Sequence, residues 1–164
     1  GQRSRDYGHW LRMRYDALIV GAGTIIQDNP RLNTRLGWHP RPRAPWKVVL
    51  DPQGRAKAHR PFAQNRVFEE DPHKGIWVDS PFSPKQLLKE LVARGINRVL
   101  LEGGAGVWKS FLEQNLVDKI HLFAGKGTVI GKDPLLWTGP SPQGVGLPLG
   151  DDRLFEYGGL GEEA

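Results

Sequence analysis

An apolar run that stops abruptly at glycine most strongly limits what this chain can fold into. Residues 17–20 read Ala-Leu-Ile-Val, which is typical of a short buried strand, and Gly21-Ala22-Gly23 follows directly. Backbone without bulky side chains lets a flat or phosphorylated ligand approach closely, and Thr24 adds a hydroxyl group. The spacing is neither a dinucleotide fingerprint nor a P-loop, because no third glycine and no Gly-Lys-Ser/Thr follows. A plain strand-to-loop bend is therefore an open alternative.

The segment after this turn is polar and carries two arginines. Asp28-Asn29-Pro30 forms a turn cluster, and Arg31 and Arg35 follow it. Pro30 fixes its own φ and keeps Asn29 out of the α-helical region. We expect a surface loop that presents these arginines.

A second apolar run, Arg98–Leu101, ends at Glu102 and is followed by Gly103-Gly104-Ala105-Gly106. This pattern predicts a buried strand that turns into a helix. A glycine turn at a helix N-terminus presents unpaired N–H groups and the positive end of the helix dipole, which suits a pyrophosphate. A plain strand-to-helix turn is the alternative interpretation.

The rest of the pattern favours an α/β fold. Trp46–Asp51 and Gly75–Val78 are predicted strands. Ser83-Pro84-Lys85-Gln86 is typical of a capping box that begins a helix, and Gly95 is placed to end it. A helix between two strands favours parallel pairing of those strands.

The two ends of the chain add a helix and a strand. Residues Ser4–Tyr15 are predicted to be helical, with Ser4 as N-cap. Residues 56–72 are expected to be irregular, and Pro134–Gly150 is expected to be a loop. Arg153–Tyr157 is predicted to be a last edge strand.

Composition excludes several classes of function. The 164 residues suit one domain with a single core. Because the chain has no cysteine, disulfides and thiolate metal sites are excluded, and His59 and His73 have no partners at metal-ligand spacing. No run approaches the length of a transmembrane helix, and the first residues lack the apolar core of a signal peptide. We expect a cytoplasmic protein without a metal site or a membrane partner.

The charge is positive and uneven. The net charge is +5, and eight arginines lie in the first 43 residues: Arg3, Arg5, Arg12, Arg14, Arg31, Arg35, Arg41 and Arg43. Such a bias fits an anionic partner, and a phosphorylated small molecule explains it. A solvated basic face is the alternative for most of these residues. No RNP-like strand, zinc knuckle or basic recognition helix is present, so a nucleic-acid partner is not expected.

Both glycine blocks resemble one family. The first block is Asp16–Thr24 with Asp28–Arg35, and the second block is Arg98–Gly106. Together they resemble the reductase domain of riboflavin biosynthesis, and the resemblance extends from about Ser4 to about Gly158. The resemblance implies a dihydrofolate-reductase-like fold: three α/β/α layers around a mostly parallel mixed sheet. The family's first strand, with its Ser-Leu-Asp-Gly-like motif, is absent from residues 1–164. The chain is therefore interpreted as a single reductase domain that is N-terminally incomplete relative to the family.

The resemblance also implies a reaction: NADPH reduces the ribosylamino side chain of a pyrimidine 5′-phosphate to a ribitylamino group. Glu102 is the candidate catalytic residue. Positions that match substrate contacts are Arg12, Leu32, Arg35 and Glu102. Positions that match cofactor contacts are Thr24, Asp28, Gly103, Gly104, Ala105, Gly106, Val107, Trp108, Lys109 and Ser110. A homodimer or larger homo-oligomer, and a zinc-dependent deaminase domain outside this chain, are the implied partners.

These expectations share one geometric condition. If the strands that end at Gly21 and Glu102 run parallel, their carboxyl ends open on one edge of the sheet, and Thr24, Asp28, Glu102 and the Gly103–Gly106 turn share a cleft. Antiparallel pairing would separate them. Two other readings stay open: a catalytically impaired reductase-like remnant or interaction domain, and a basic nucleic-acid-binding module. Dihydrofolate reductase itself is disfavoured, because its acidic pterin-binding motif is absent.

Overall fold

A four-stranded parallel sheet forms the centre of the molecule. The structure, a computed structural model, describes residues 1–35, 44–60, 64–125 and 145–158. The strands are β1 (Ala17–Gly21), β2 (Trp46–Leu50), β3 (Gly75–Val78) and β4 (Val99–Leu101), in the order β3-β2-β1-β4. All neighbours are parallel. The carboxyl ends of all four strands therefore lie on the same edge of the sheet.

Helices cover both faces of this sheet. One face carries α2 (Ala22–Asp28) and α3 (Arg55–His59), and the other carries α4 (Pro84–Ala93) and α5 (Ala105–Leu112). Because side chains alternate along a strand, Leu18 and Val20 pack with the first pair of helices, and Ala17 and Ile19 pack with the second. All four of these side chains are fully buried. Burial of each large aliphatic side chain stabilises the folded state by about 1.5–3 kcal/mol, so β1 stabilises the packing of both helix layers on the sheet.

A second, antiparallel sheet packs against the N-terminal helix of the chain. Its strands are β5 (Lys119–Ala124), β6 (Leu147–Leu149) and β7 (Asp152–Gly158), in the order β5-β7-β6. Helix α1 (Gln2–Arg14) contacts both sheets. The Tyr7 ring lies 5.8 Å from the ring of Phe123 on β5, and Arg12 pairs with Glu102 at the end of β4. Within the described ranges, β4 pairs only with β1 and β5 pairs only with β7.

The structure confirms the α/β class, the three layers and the parallel pairing of the strands that end at Gly21 and Glu102. Gly95 ends α4 in a left-handed conformation with φ +77°, as predicted. Ser83 is the N-cap of α4, but no side-chain hydrogen bond closes there, so the predicted capping box is wrong. Helix α1 begins at Gln2 rather than after a Ser4 cap, because the Ser4 hydroxyl donates to Asp152 instead.

Other corrections concern elements that tertiary packing decides. Helix α2 begins within the predicted glycine turn, and α3 and β6 were expected to be irregular. The predicted buried strand β4 is only half-buried, because it pairs on one side alone. Strand β7 is central rather than an edge strand, because β6 pairs with its second side. Residues 134–144 of the predicted loop lie outside the described residues.

None of the described helices has both the length and the apolar character that a membrane span requires.

Candidate functional site

Two glycine segments meet at the carboxyl edge of the parallel sheet. The Glu102 N–H donates to the Ile19 carbonyl oxygen at 2.8 Å, which places the end of β4 beside the end of β1. Gly103 has φ +144°, and a Cβ atom there would lie 3.1 Å from Thr24 Oγ1 and 3.5 Å from the Gly21 nitrogen. Only glycine fits this conformation and this spacing without strain. Thr24 and Glu102 therefore lie on the same edge of the molecule.

Helix α5 starts directly at this meeting point. Gly104 is its N-cap, and no side chain caps the first turn. The first N–H groups of a helix have no intrahelical acceptor, and they form the positive end of the helix dipole. On the other side, Gly21 touches α5 closely, since a Cβ atom there would lie 2.8 Å from Val107 Cγ2. Gly21, Gly103 and Gly104 form this surface, which we call the glycine edge. It combines open backbone donors with a lack of bulky side chains, which suits a pyrophosphate.

Glu102 forms a two-pronged ion pair with Arg12. Arg12 Nε donates to Glu102 Oε1 at 2.8 Å, and Arg12 Nη2 donates to Glu102 Oε2 at 2.7 Å. The two side chains are about one-fifth exposed, at 20% and 23%. Paired donation of this kind fixes the plane of the carboxylate as well as its position. The Glu102 carboxylate is thus paired with Arg12, a second predicted site residue.

A polar cavity of about 350 Å³ opens beside this ion pair. Helix α1, the end of α2 and the loop after it, and one more distant residue form its walls. The lining residues are Arg5, Gly8, His9, Arg12, Asp28, Asn29, Pro30, Arg31, Leu32, Arg35 and Arg66. The cavity brings together three of the four predicted substrate residues, Arg12, Leu32 and Arg35. Asp28, predicted as a cofactor contact, lies at this cavity at the end of α2.

A histidine connects the walls of the cavity. His9 Nδ1 lies 3.1 Å from the Asn33 carbonyl oxygen and 3.3 Å from the Arg35 amide nitrogen, which can donate to it. The same Asn33 oxygen accepts a hydrogen bond from Arg12 Nη1 at 3.0 Å. Burial lowers the pKa of His9 below its ordinary value, and the charge of Arg12 lowers it further. The neutral ring therefore predominates at neutral pH.

The Asn33 side chain holds this loop from behind. Its amide nitrogen donates to Glu70 Oε1, and Asn33 is 8% exposed. Leu32 is also buried and adopts a left-handed conformation with φ +49°. The loop that carries Arg35 is thus fixed by two buried neighbours, so the cavity is preformed.

The remaining predicted cofactor residues lie on α5, and most of their side-chain contacts are within or next to that helix. Val107 packs against Gly21, Ser110 Oγ donates to the Val107 carbonyl oxygen at 2.7 Å, and Lys109 lies 3.7 Å from Glu113. Trp108 is half-buried. Their roles in cofactor binding stay predictions.

Sequence reasoning missed several of the cavity residues. His9 and Arg66 were not singled out, and Arg5 and Arg31 were named only among the arginines whose bias fits an anionic partner. Arg5, His9 and Arg12 recur at spacings of four and three, so one face of α1 carries all three. That spacing is a usable signal, since it places Arg5 and His9 on the same helix face as Arg12. Arg66 is far away in sequence, and no local pattern indicates it.

Comparison with known protein families gives a match along most of the chain. The family described as the RibD C-terminal domain matches residues 1–147. Among curated proteins, the riboflavin biosynthesis protein RibD of Corynebacterium ammoniagenes is 34% identical over 143 residues, which cover 82% of this chain and 40% of that protein. A protein of Archaeoglobus fulgidus named 2,5-diamino-6-ribosylamino-4(3H)-pyrimidinone 5′-phosphate reductase is 28% identical over 147 residues, 75% of this chain and 67% of that protein.

Solved structures give the same fold. A Thermotoga maritima protein, described as a diaminohydroxyphosphoribosylaminopyrimidine deaminase/5-amino-6-(5-phosphoribosylamino)uracil reductase, has a TM-score of 0.72 and 28% identity, covering 93% of this chain and 47% of that one. Acinetobacter baumannii RibD has a TM-score of 0.77 and 21% identity, covering 95% and 50%. The chain spans about two-fifths of the length of the RibD proteins of Corynebacterium ammoniagenes and Aquifex aeolicus.

Proposed function

Since the chain belongs to the RibD C-terminal domain family of riboflavin biosynthesis pyrimidine reductases, we propose that it uses NADPH to reduce a phosphorylated ribosylaminopyrimidine. The product is the corresponding ribitylamino compound. The observation that carries this proposal is the junction of the two glycine segments beside the Arg12–Glu102 pair and the arginine-lined cavity. A cofactor surface and an anion surface lie next to each other there.

The glycine edge fits the dinucleotide. The uncapped start of α5 offers N–H groups to the pyrophosphate, and Gly103 and Gly104 leave room for it. Thr24 adds a hydroxyl group at the same edge. When bound, NADPH supplies the hydride that reduces C1′ of the ring-opened sugar. The protein's part is to hold the two reactants in contact and to exclude competing groups.

The arginine cavity fits the phosphorylated sugar. Guanidinium groups bind phosphate oxygens in pairs, and Arg12 and Arg35 are the predicted contacts. The proposed role of Glu102 is to accept hydrogen bonds from polar groups of the substrate near the reacting carbon. Because Arg12 holds both Glu102 oxygens in the free protein, substrate binding exchanges part of this ion pair for new hydrogen bonds.

The pyrimidine itself distinguishes two variants of this function. The Thermotoga maritima relative is named a reductase of 5-amino-6-(5-phosphoribosylamino)uracil, and the Archaeoglobus fulgidus relative is named a reductase of the 2,5-diamino compound. We propose the uracil substrate, because the Thermotoga maritima protein matches 93% of this chain and the Archaeoglobus fulgidus protein matches 75%, both at 28% identity. A deaminase outside residues 1–164 would then act before this domain, and the domain would work as a homo-oligomer. Comparison of the two substrates in one NADPH oxidation assay tests this choice.

A tryptophan-fluorescence titration tests cofactor binding. We expect micromolar quenching by NADPH and much weaker quenching by NADH. The decisive variant is Gly104→Asp, because a Cβ atom at Gly104 meets nothing within 4 Å and aspartate is a favourable N-cap. The added carboxylate repels a pyrophosphate without unfolding the helix. Gly104→Asn, a neutral cap of the same shape, is the matched control and should retain binding.

The outcomes separate the function from its alternatives. Loss of NADPH binding in Gly104→Asp but not in Gly104→Asn supports the reductase. An absence of wild-type binding at millimolar NADPH supports a non-catalytic remnant, and salt-sensitive nucleic-acid binding supports a basic binding module. Glu102→Gln tests the catalytic assignment: kcat/KM should fall at least about tenfold while the Kd for NADPH stays unchanged. An unchanged kcat/KM would remove Glu102 from the site.

A further inference from the structure

The arginines of the cavity differ in whether a carboxylate already neutralises them. Arg12 pairs with Glu102, and Arg31 Nε lies 3.1 Å from Glu69 Oε2. Arg66 Nε lies 4.0 Å from the other oxygen of Glu69. Three of the five cavity arginines therefore have an acidic neighbour in the protein.

Arg5 and Arg35 are different. Arg5 donates to the neutral Gln2 amide oxygen, at 2.8 Å from Nη2 and 3.2 Å from Nε. Within the described ranges, neither Arg5 nor Arg35 forms an ion pair with a carboxylate. Both side chains are exposed, and both line the cavity. The charge of Arg5 acts on the Asp152 carboxylate, but the two groups form no ion pair. Both guanidinium groups therefore suit an anion that enters the shared cavity.

His9 relates the two arginines to each other. It lies one turn after Arg5 on α1, and in the tautomer with the proton on Nε2 its Nδ1 accepts from the Arg35 amide, 3.3 Å away. The ring thus ties the backbone of the Arg35 loop to the helix that carries Arg5. The charged groups that face His9 across the cavity are Arg5 and Arg12 on its own helix, Asp28, Arg31 and Arg35 on the loop side, and Arg66; Glu102 acts on it from the end of β4.

We propose that α1 supplies half of a phosphate-monoester site, in which Arg5 binds the phosphate opposite Arg35 and His9 is the positioning residue that fixes Arg35. The proposal rests on the proposed function and deepens it, because it assigns the 5′-phosphate of the substrate to this pair. It adds Arg5 and His9 to the residues expected from sequence. Asp28 also lines this cavity. Its carboxylate repels ligands that carry several negative groups, so a single phosphate is the favoured anion.

Ribose 5-phosphate is the probe, with ribose as the control without phosphate. Calorimetric titration at fixed ionic strength, in the presence and absence of NADPH, gives the Kd for the full chain. We expect Arg5→Gln and Arg35→Gln each to weaken binding by about tenfold or more, since each removes charge-assisted hydrogen bonds to phosphate. Arg94→Gln is the matched control: it removes the same charge from the exposed C-cap of α4, which does not line the cavity.

His9 requires a readout that distinguishes positioning from general stability. His9→Asn keeps an acceptor oxygen near the place of Nδ1 and should retain most of the phosphate affinity. His9→Ala removes the acceptor and should weaken ribose 5-phosphate binding several-fold while the Kd for NADPH stays unchanged. Equal effects of both variants on phosphate binding, or an equal loss of NADPH binding, would overturn the positioning role.

The remaining outcomes separate this proposal from the proposed function. If wild-type protein does not bind millimolar ribose 5-phosphate, or if Arg5→Gln behaves like Arg94→Gln, the phosphate site is wrong whatever the cofactor result. If ribose 5-phosphate binds through Arg5 and Arg35 but NADPH does not bind, the phosphate site stands and the reductase function fails.

Discussion

Gly103→Ala is the sharpest test of the junction between the two glycine segments. Gly103 has φ +144°, a conformation that costs a residue with a Cβ atom about 1–3 kcal/mol. The new methyl group would also lie 3.1 Å from Thr24 Oγ1, which is tighter than ordinary contact. We therefore expect a loss of about 2–3 kcal/mol in the free energy of unfolding. For a chain of this size that corresponds to a fall in Tm of about 5–10 °C.

Urea and thermal unfolding, followed by circular dichroism, measure this loss. Gly106→Ala is the control, because a Cβ atom there meets nothing within 4 Å and the residue lies inside helix α5. That variant should gain up to about 1 kcal/mol from helix propensity. A double variant with Thr24→Ala removes the nearest atom, so the cost of Gly103→Ala should fall by about 0.5–1 kcal/mol in that background. A Gly103→Ala protein as stable as wild type would refute the proposed contact between the segments.

Two further predictions concern buried titratable groups. Lys47 is 1% exposed, and its Nζ has no hydrogen-bond partner among the described residues, so Lys47→Met should raise the free energy of unfolding at neutral pH by about 1–3 kcal/mol. Because burial lowers the pKa of Lys47, this lysine keeps its proton to higher pH in the unfolded chain than in the folded protein. The stability advantage of the variant should therefore shrink as the pH rises toward 10.5, the ordinary pKa of lysine. A variant less stable than wild type would contradict this account. Burial also lowers the pKa values of His9 and His121, so the unfolded state binds protons more readily and wild-type stability should fall as pH drops below 6.5. Chemical denaturation between pH 7.5 and 5.5 measures this, and the double variant with His9→Asn and His121→Gln should show a flatter profile; identical profiles would argue against burial of the two rings.

The central part of the fold was predictable because it depends on local signals. Ala17–Val20 and Val99–Leu101 are apolar. The first run ends at glycine, the second ends at a single carboxylate before glycine, and a helix pattern precedes the second run. Parallel pairing follows from such a pattern, and it brings Thr24 and Glu102 to one edge. The family resemblance singled out Arg12, Leu32 and Arg35 as substrate contacts. The structure brings them together in one cavity, and their roles stay predictions.

What sequence reasoning missed depends on contacts between distant segments. Helix α2 contains Gly23 and only seven residues, so its propensity is low; it is stabilised by burial of Ile25 and by Asn29, which ends it with φ +40°. Strand β6 is three residues long and contains Pro148, and only its pairing with β7 identifies it. The charge balance of the cavity depends on Glu69, far along the chain, which no spacing rule connects to Arg31.

The one-sided pairing of β4 and β5 has a consequence for the behaviour of this chain in solution. Among the described residues, no strand pairs with the outer edge of β4 or of β5, so each presents a row of amide and carbonyl groups there, and the apolar side chains of β4 are only half covered. Such rows are templates for any extended peptide that matches their length, including an identical strand from another molecule. Concentrated samples should therefore be prone to edge-to-edge self-assembly. Charged substitutions at the outer edge of either strand are the direct means of keeping the molecules apart.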